Sequence, residues 1–236
     1  MICYLGKTLL IEEKGKKIIV IGDLHLGMGE ALRDSGVLIE IDMIGSMIKG
    51  LDEVFKKTGK VNEIVLLGDI KHYFGKIVKE EWNDVLKLFD YLKEKCGKII
   101  VIRGNHDVLI KPIAKKAEIE VGEFYCIGKY CFVHGDKDCD EIWDKKIEYV
   151  VIGHGHPAVK LQEGVKIEKY KCFLEGKYRG KNWIIVPSFS EYSIGSDPRE
   201  NEVITAWNLP FERFKVRIVG EKLEVFNFGR LSLLKK

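Results

Sequence analysis

The histidines of this chain lie in short stretches that also contain Gly, Asp or Asn. All six follow this pattern: His25 in GDLHLG, His72 in GDIKHYFG, His106 in RGNHD, His134 in HGD, and His154 and His156 in GHGH. A lone histidine is usually a structural or surface residue, and a lone Asp after a strand is usually a helix N-cap. The repeated pairing of imidazoles with carboxylates instead indicates a shared chemical role.

Together these stretches contain enough ligands for two metal ions. The set combines three carboxylate or amide oxygen donors with four imidazoles: Asp23, Asp69, Asn105, His25, His134, His154 and His156. Two ions that share one bridging ligand require about this number. A mixed nitrogen and oxygen set suits Mn²⁺, Fe²⁺, Ni²⁺ or Zn²⁺ better than Ca²⁺. We therefore predict two divalent transition-metal ions as cofactors, with Mn²⁺ as the preferred metal.

The candidate ligands follow apolar segments of strand length. Residues 17–23, 63–69 and 98–104 are β-branched runs, and apolar residues recur at helical spacing over 41–55 and 82–92 between them. Alternating strands and helices predict a largely parallel sheet with right-handed crossovers. Ligand sites in such sheets form outside the carboxyl ends of the strands, which is where these residues lie.

The second half of the chain contains mostly strand-like segments. They cover residues 124–136, 149–156, 165–176, 182–188, and a tail at 211–229 with two strands around a turn at 220–222. The tail should complete an edge of a second sheet. We predict an α/β fold with two sheets packed face to face and helices outside, a four-layer α-β-β-α sandwich that forms a single domain over residues 1–236.

Spacing suggests how paired ligands converge. Asp23 and His25 are two residues apart, as are His154 and His156, and such residues share one side of an extended chain. We expect Gly155 to keep bulk away from the metals, and the glycines around the ligands to permit close approach of the backbone.

Composition excludes some function classes. The chain contains no apolar run long enough to span a bilayer, so we expect no membrane interaction. The N-terminal residues do not resemble a secretion signal, and six cysteines without a C-x-x-C pair indicate reduced thiols and a cytoplasmic protein. A net charge of +3 does not by itself indicate binding to nucleic acid.

The order and spacing of GDLHLG, GDIKHYFG, RGNHD, HGD and GHGH resemble those of the calcineurin-like metallophosphoesterases. Within that family the chain is most similar to the small archaeal phosphoesterases related to SbcD and to helicase- or ligase-associated nucleases. Two cations about 3.5–4 Å apart activate a bridging water and neutralise charge during its in-line attack on phosphorus. The resemblance therefore implies hydrolysis of phosphate esters at the dinuclear site.

The resemblance also assigns roles to individual residues. One metal would be held by Asp23, His25, Asp69 and His156, and the other by Asp69, Asn105, His134 and His154, so that Asp69 is the bridge. His106 would not bind metal but would stabilise the transition state or protonate the leaving oxygen. Asp107 would fix the catalytic loop.

Three further residues are candidates for substrate binding. Many phosphomonoesterases of the family have an acidic residue where this chain has His72, which favours phosphodiester substrates, although His72 could equally be a supporting residue of the loop. Arg103 and Arg199 could each bind a substrate phosphate bidentately or have a structural role.

These observations favour a metal-dependent phosphodiesterase, a nuclease acting on DNA or RNA in nucleic-acid processing or repair. By resemblance, a helicase or another repair protein is a candidate partner, although we expect the chain to lack the large capping regions of double-strand-break nucleases. The alternative enzyme is a small-molecule phosphatase or cyclic-nucleotide phosphodiesterase. A non-catalytic scaffold is a more remote alternative, because every expected ligand and His106 are present.

Overall fold

Two β-sheets face each other in the computed structural model, which describes residues 1–37, 41–76, 78–200 and 203–234. The first sheet contains, in spatial order, β1 (Ile2–Leu5), β2 (Thr8–Glu13), β3 (Lys16–Ile21), β4 (Val61–Leu66), β5 (Cys96–Ile102) and β6 (Glu120–Gly122). Strands β1 to β3 are antiparallel, whereas β3 to β6 are parallel. The predicted strands at 17–23, 63–69 and 98–104 correspond to β3, β4 and β5 in the parallel part of this sheet.

The second sheet is built from the rest of the chain. It contains β7 (Phe124–Ile127), β8 (Tyr130–Val133), β9 (Tyr149–Ile152), β10 (Ala158–Glu163), β11 (Lys166–Tyr178), β12 (Lys181–Ile185), β13 (Lys215–Val219) and β14 (Val225–Arg230). The spatial order is β14-β13-β11-β12-β9-β8-β7, and β10 pairs with β11. Strands β8, β9 and β12 are parallel, so their carboxyl ends lie at one edge.

Side-chain alternation along the strands creates two separate apolar layers in the first half. Ile19 and Ile21 of β3 face a cluster with the helices, whereas Ile18 and Val20 face the second sheet. The helices are α1 (Met28–Asp34), α2 (Met43–Thr58), α3 (Lys79–Lys95) and α4 (Ile110–Lys116). None of the helices in the described ranges is long and apolar enough to cross a membrane.

The outer face of the second sheet is covered differently. Trp183 of β12 packs against Trp207 at a ring-centroid distance of 4.8 Å, and Phe214 belongs to the same cluster. The chain over this face, where the structure describes it, contains 3-10 helices at Asp140–Trp143, Phe211–Arg213 and Leu231–Leu233. The predicted α/β class with two facing sheets is confirmed, and this outermost layer consists of short turns and irregular chain.

Two strand features differ from the sequence prediction. Residues 2–13 form the hairpin of β1 and β2, which we did not predict because the short apolar runs are interrupted by charged residues. Segment 124–136 is a hairpin of β7 and β8, because Gly128 adopts a φ of 57° and reverses the chain.

Candidate dinuclear metal centre

The seven candidate ligands converge at the edge where parallel strands of both sheets end. Asp23 and His25 follow β3, Asp69 follows β4, and Asn105 follows β5. His134 follows β8, and His154 and His156 follow β9. A direct bridge between Gly22 and Ser188 joins the two sheets beside the site. The arrangement agrees with the principle that strand ends of an α/β sheet carry the chemistry.

One group of four donors surrounds a first point. Nε2 of His156 lies 3.1 Å from Oδ1 of Asp23 and 3.3 Å from Nε2 of His25. Nε2 of His25 lies 3.8 Å from Oδ2 of Asp69. Each of these four side chains can offer a nitrogen or oxygen to one ion.

A second group shares Asp69 with the first but uses its other oxygen. Nε2 of His134 lies 3.4 Å from Oδ1 of Asp69, 3.0 Å from Oδ1 of Asn105 and 3.2 Å from Nδ1 of His154. The two oxygens of Asp69 therefore face different donor groups. A carboxylate in this position can bridge two ions.

Hydrogen bonds on the far side of two of the imidazoles orient their rings in the site. Nδ1 of His134 lies 2.6 Å from the carbonyl oxygen of Leu67, and because a carbonyl can only accept, this nitrogen carries the proton. In the neutral ring, Nε2 of His134 then has a free lone pair that can bind a metal ion. Nδ1 of His156 lies 3.0 Å from Oγ of Ser193, a hydroxyl that can donate or accept, so this contact orients the ring without fixing its tautomer. The donor set and its orientation fit divalent cations.

The electrostatics of the site favour added positive charge. Burial alone would raise the pKa of Asp69, but hydrogen bonding and the charge of His134 outweigh it and hold the pKa well below its usual range. Burial lowers the pKa of His25 to about 3. For His134 burial also acts to lower the pKa, but the Asp69 hydrogen bond and the nearby carboxylates raise it to about 9. Metal ions would neutralise the two buried carboxylates without protonating an imidazole.

The backbone at the ligands is bent and not extended. Five candidate ligands have a positive φ of 40° to 59°: Asp23, His25, Asp69, His154 and His156. The predicted convergence through alternation in an extended chain was therefore wrong. Asp and His tolerate left-handed backbone better than most residues, and here that conformation turns the side chains together.

Glycines make room for the ligands at some positions but not at Gly155. A Cβ on Gly104 would lie 2.2 Å from Oδ1 of Asp69, and one on Gly68 would lie 2.7 Å from Nδ1 of His134. A Cβ on Gly155 would instead lie 2.7 Å from the side chain of Val203 and 3.3 Å from that of Ile185, which belongs to the apolar cluster on the outer face of the second sheet. Our expectation that Gly155 protects the metals from bulk was wrong, because its constraint comes from packing.

His106 lies beside the ligands and is more exposed than most of them. Its Nδ1 is 2.6 Å from the carbonyl oxygen of His72, and its Nε2 is 4.0 Å from Oδ2 of Asp69. The ring of His72 lies nearly parallel to it at 5.6 Å, and the half-exposed ring of Phe74 lies 4.0 Å away. Nδ1 of His72 is buried without a hydrogen-bond partner among the described residues. The backbone carbonyl of His72 therefore orients the His106 ring.

Asp107 connects the loops that follow β4 and β5. Its Oδ1 accepts hydrogen bonds from the backbone N–H groups of Ile70 and Lys71, and its Oδ2 accepts one from Gly104. Burial, together with the charge of Asp69, raises its pKa to about 7. The side chain is fully buried, so it acts on the shape of the site and not on a ligand.

The two candidate arginines have different surroundings. Arg103 is partly exposed, pairs with Glu123 at 3.1 Å, and lines a cavity of about 390 Å³ that also reaches His134. Arg199 makes two hydrogen bonds to Asp197, at 3.0 and 2.7 Å, and a third to the carbonyl of Lys160. This arrangement favours the structural alternative for Arg199, because its guanidinium is largely buried and holds the chain after β12 in place.

The sequence prediction did not identify the residues that support Asp23 and His156. Oγ of Ser188 donates to the carbonyl of Asp23 at 2.7 Å, and Ser193 contacts His156. Lys171 donates to the carbonyls of Ser188, at 2.8 Å, and Ser190, and burial lowers its pKa to about 7. The Ser-rich stretch after β12 was the available signal, but its partners are distant in sequence.

The chain is similar to several known proteins. The sequence profile of calcineurin-like phosphoesterases matches residues 16–220. A Pseudomonas putida nuclease called MPE is similar over 94% of this chain and 100% of its own, with 18% identity and a TM-score of 0.60. The phosphoesterase YfcE of E. coli matches 88% of this chain and 95% of its own at 16% identity and a TM-score of 0.45. No curated protein sequence gives a significant match.

Proposed function

Because the chain belongs to the calcineurin-like phosphoesterase family, whose members are metal-dependent enzymes, we propose that it hydrolyses phosphodiesters and acts as a nuclease. The observation that carries the proposal is the pair of donor groups joined by the two oxygens of Asp69, with His106 beside them. Such a pair of sites suits in-line displacement at phosphorus.

The first ion would be held by Asp23, His25, Asp69 and His156, and the second by Asp69, Asn105, His134 and His154. When bound, two divalent ions supply an activated water and neutralise the charge that develops on the phosphoryl oxygens. We propose Mn²⁺ as the metal, since imidazole and carboxylate ligands suit it. The protein contributes the orientation of the donors through Leu67 and Ser193.

His106 has the geometry of a general acid. The proton on its Nδ1 is held by the carbonyl of His72, so Nε2 is free to carry a second proton toward the leaving oxygen. Its side chain is about 20% exposed, which allows contact with a substrate above the ligands. No covalent intermediate with the protein is required.

The surroundings of His106 favour diesters over monoesters. At the place where many phosphomonoesterases of the family have a carboxylate, the imidazole of His72 lies beside His106, and the exposed ring of Phe74 offers a stacking surface for a base. Arg103, which is partly exposed and paired with Glu123, lines the cavity that reaches His134 and is our candidate for contact with a strand phosphate.

Hydrolysis of matched esters tests the proposal. Mn²⁺-loaded protein should hydrolyse bis(p-nitrophenyl) phosphate with a higher kcat/KM than p-nitrophenyl phosphate, and it should nick or degrade DNA or RNA. Asp69→Asn should abolish both activities, because the shared carboxylate charge is lost. Asp90→Asn is the matched control, since Asp90 is exposed on α3.

A strong preference for the monoester, with no cleavage of nucleic acid by protein that contains both metals, would contradict the nuclease assignment. A small-molecule phosphatase would then be the remaining function.

A further inference from the structure

A buried carboxylate on α3 lies behind the loop that orients His106. Glu81 is in the first turn of the helix and is fully buried. Its Oε1 accepts hydrogen bonds from the backbone N–H of His72, at 2.8 Å, and of Tyr73, at 2.9 Å. Burial of a carboxylate is costly unless charges or hydrogen bonds compensate it, so its place here calls for an explanation.

One peptide unit connects Glu81 with His106. The unit between His72 and Tyr73 presents its carbonyl oxygen to Nδ1–H of His106 at 2.6 Å, and its N–H donates to Glu81. Two hydrogen bonds in series therefore run from the imidazole to the carboxylate. Consecutive hydrogen bonds polarise one another, so the carboxylate makes the His72 carbonyl a stronger acceptor.

We propose that Glu81 is a positioning residue for His106 and acts on it through the His72–Tyr73 peptide. In an ordinary histidine–carboxylate pair the carboxylate contacts the ring directly, and here a peptide unit lies between them. Glu81 thereby holds the His106 ring with Nε2 toward the ligands. The inference rests on the role of His106 in the proposed function.

Neighbouring residues hold the carboxylate in this orientation. Nζ of Lys71, itself fully buried, lies 3.3 Å from Oε2 of Glu81 and also donates to the carbonyl of Tyr73. A Cβ at Gly27 would lie 2.7 Å from Oε1 of Glu81, so the carboxylate reaches the peptide through space that only glycine leaves open. Lys71 and Gly27 thus restrict Glu81 to one position.

A set of variants tests the proposal. Glu81→Gln should lower kcat by roughly 10- to 100-fold with little change in KM, the range typical for partners that orient a functional group. Lys71→Met/Glu81→Gln should show the same loss without leaving a buried lysine unpaired. Glu80→Gln is the matched control, since Glu80 is exposed in the same turn, and it should keep the wild-type kcat.

A double-mutant cycle separates positioning from a general structural effect. In a His106→Ala background, Glu81→Gln should cause no further loss, because its effect passes through the missing imidazole. Multiplicative losses, or a Lys71→Met/Glu81→Gln protein with wild-type kcat, would overturn the proposal. The cycle uses whichever ester the protein hydrolyses faster.

A spectroscopic measurement keeps the inference distinct from the proposed function. In Zn²⁺-loaded, histidine-labelled protein, the Nδ1–H proton resonance of His106 should shift in Glu81→Gln and stay unchanged in Glu80→Gln. An unchanged resonance in Glu81→Gln would refute the positioning role. If no phosphodiester is hydrolysed, the proposed function fails and this resonance still decides the role of Glu81.

Discussion

Asp69 is the residue on which the candidate site depends most. Its two oxygens face separate donor groups, and its backbone carbonyl accepts hydrogen bonds from the N–H groups of Leu24 and His25. It therefore fixes the loop after β3 as well as joining the two groups. Its left-handed backbone, with a φ of 48°, is a local strain of about 1–3 kcal/mol that the surrounding hydrogen bonds must offset.

The convergence of the candidate ligands was predictable from sequence, but their conformations and supporting partners were not. The residue types, and their positions directly after predicted strands, were enough to select all seven candidate ligands. Backbone bends at His154 and His156 were not predictable, because alternation assumes an extended chain. The partner of His106 was also missed, since a backbone carbonyl leaves no trace in the amino-acid sequence.

Replacement of His106 by alanine tests its assignment as a catalytic residue and not a ligand. His106→Ala should retain both metals and lose roughly two to four decades in kcat, the usual range for a positioned acid or electrostatic group. Elemental analysis and steady-state kinetics on the same sample provide the measurement. Loss of a metal with little change in kcat per loaded site would show that His106 is a ligand.

The loops after strands β4 and β5 set the position of Asp69 at the level of elements. Gly68 and Gly104 lie in contact there: a Cβ on Gly68 would approach the backbone nitrogen of Gly104 to 2.7 Å. The Asp107 side chain also connects these two loops, because it accepts hydrogen bonds from the backbone N–H groups of Ile70 and Lys71 in one loop and of Gly104 in the other. Close backbone packing between these loops is what makes the carboxylate bridge possible.

The pattern of apolar residues predicted the parallel strands of the first sheet well, but it did not predict the antiparallel strands at the end of that sheet. Ile18 to Ile21 are apolar on both faces, as expected for a strand buried between helices and a second sheet. The hairpin of β1 and β2, which forms one end of the sheet, was not predicted, because its short apolar runs are interrupted by charged and partly exposed residues such as Glu12. Their pairing depends on tertiary contact that local patterns do not encode.

Gly104→Ala tests the close approach of the two loops. The new Cβ would lie 2.2 Å from Oδ1 and 2.3 Å from the backbone nitrogen of Asp69, so Asp69 and its carboxylate must move. We expect weaker binding of both metals and a lower free energy of unfolding, by about 1–3 kcal/mol, as for other overpacked sites. Denaturant unfolding with chelator present, together with metal titration, measures the two effects.

Gly50→Ala is the matched control for that change. Gly50 lies within α2, and its Cβ would meet Phe189 at an ordinary distance of 3.4 Å. Alanine should leave metal binding unchanged and raise the free energy of unfolding by up to about 1 kcal/mol through helix propensity. Equal metal binding in the Gly104→Ala protein and this control would contradict the role given to Gly104.

Both halves of the molecule contribute to the candidate centre. Asp23, His25, Asp69 and Asn105 come from the first sheet, whereas the second sheet supplies His134, His154 and His156. The apolar layer between the sheets, which includes Val20 and Val151, sets their relative position. The sequence predicted that the ligands follow strands. The packing of the two sheets against each other then brings the ligands of the first sheet within hydrogen-bonding distance of those of the second.

The most direct test of the account is anomalous diffraction from crystals of Mn²⁺-loaded protein. We predict two peaks per chain, one among Asp23, His25, Asp69 and His156 and the other among Asp69, Asn105, His134 and His154. His134→Ala should weaken or remove only the second peak, because its Nε2 lies in that group alone. One peak or none in well-folded wild-type protein, or peaks away from Asp69, would contradict the dinuclear site.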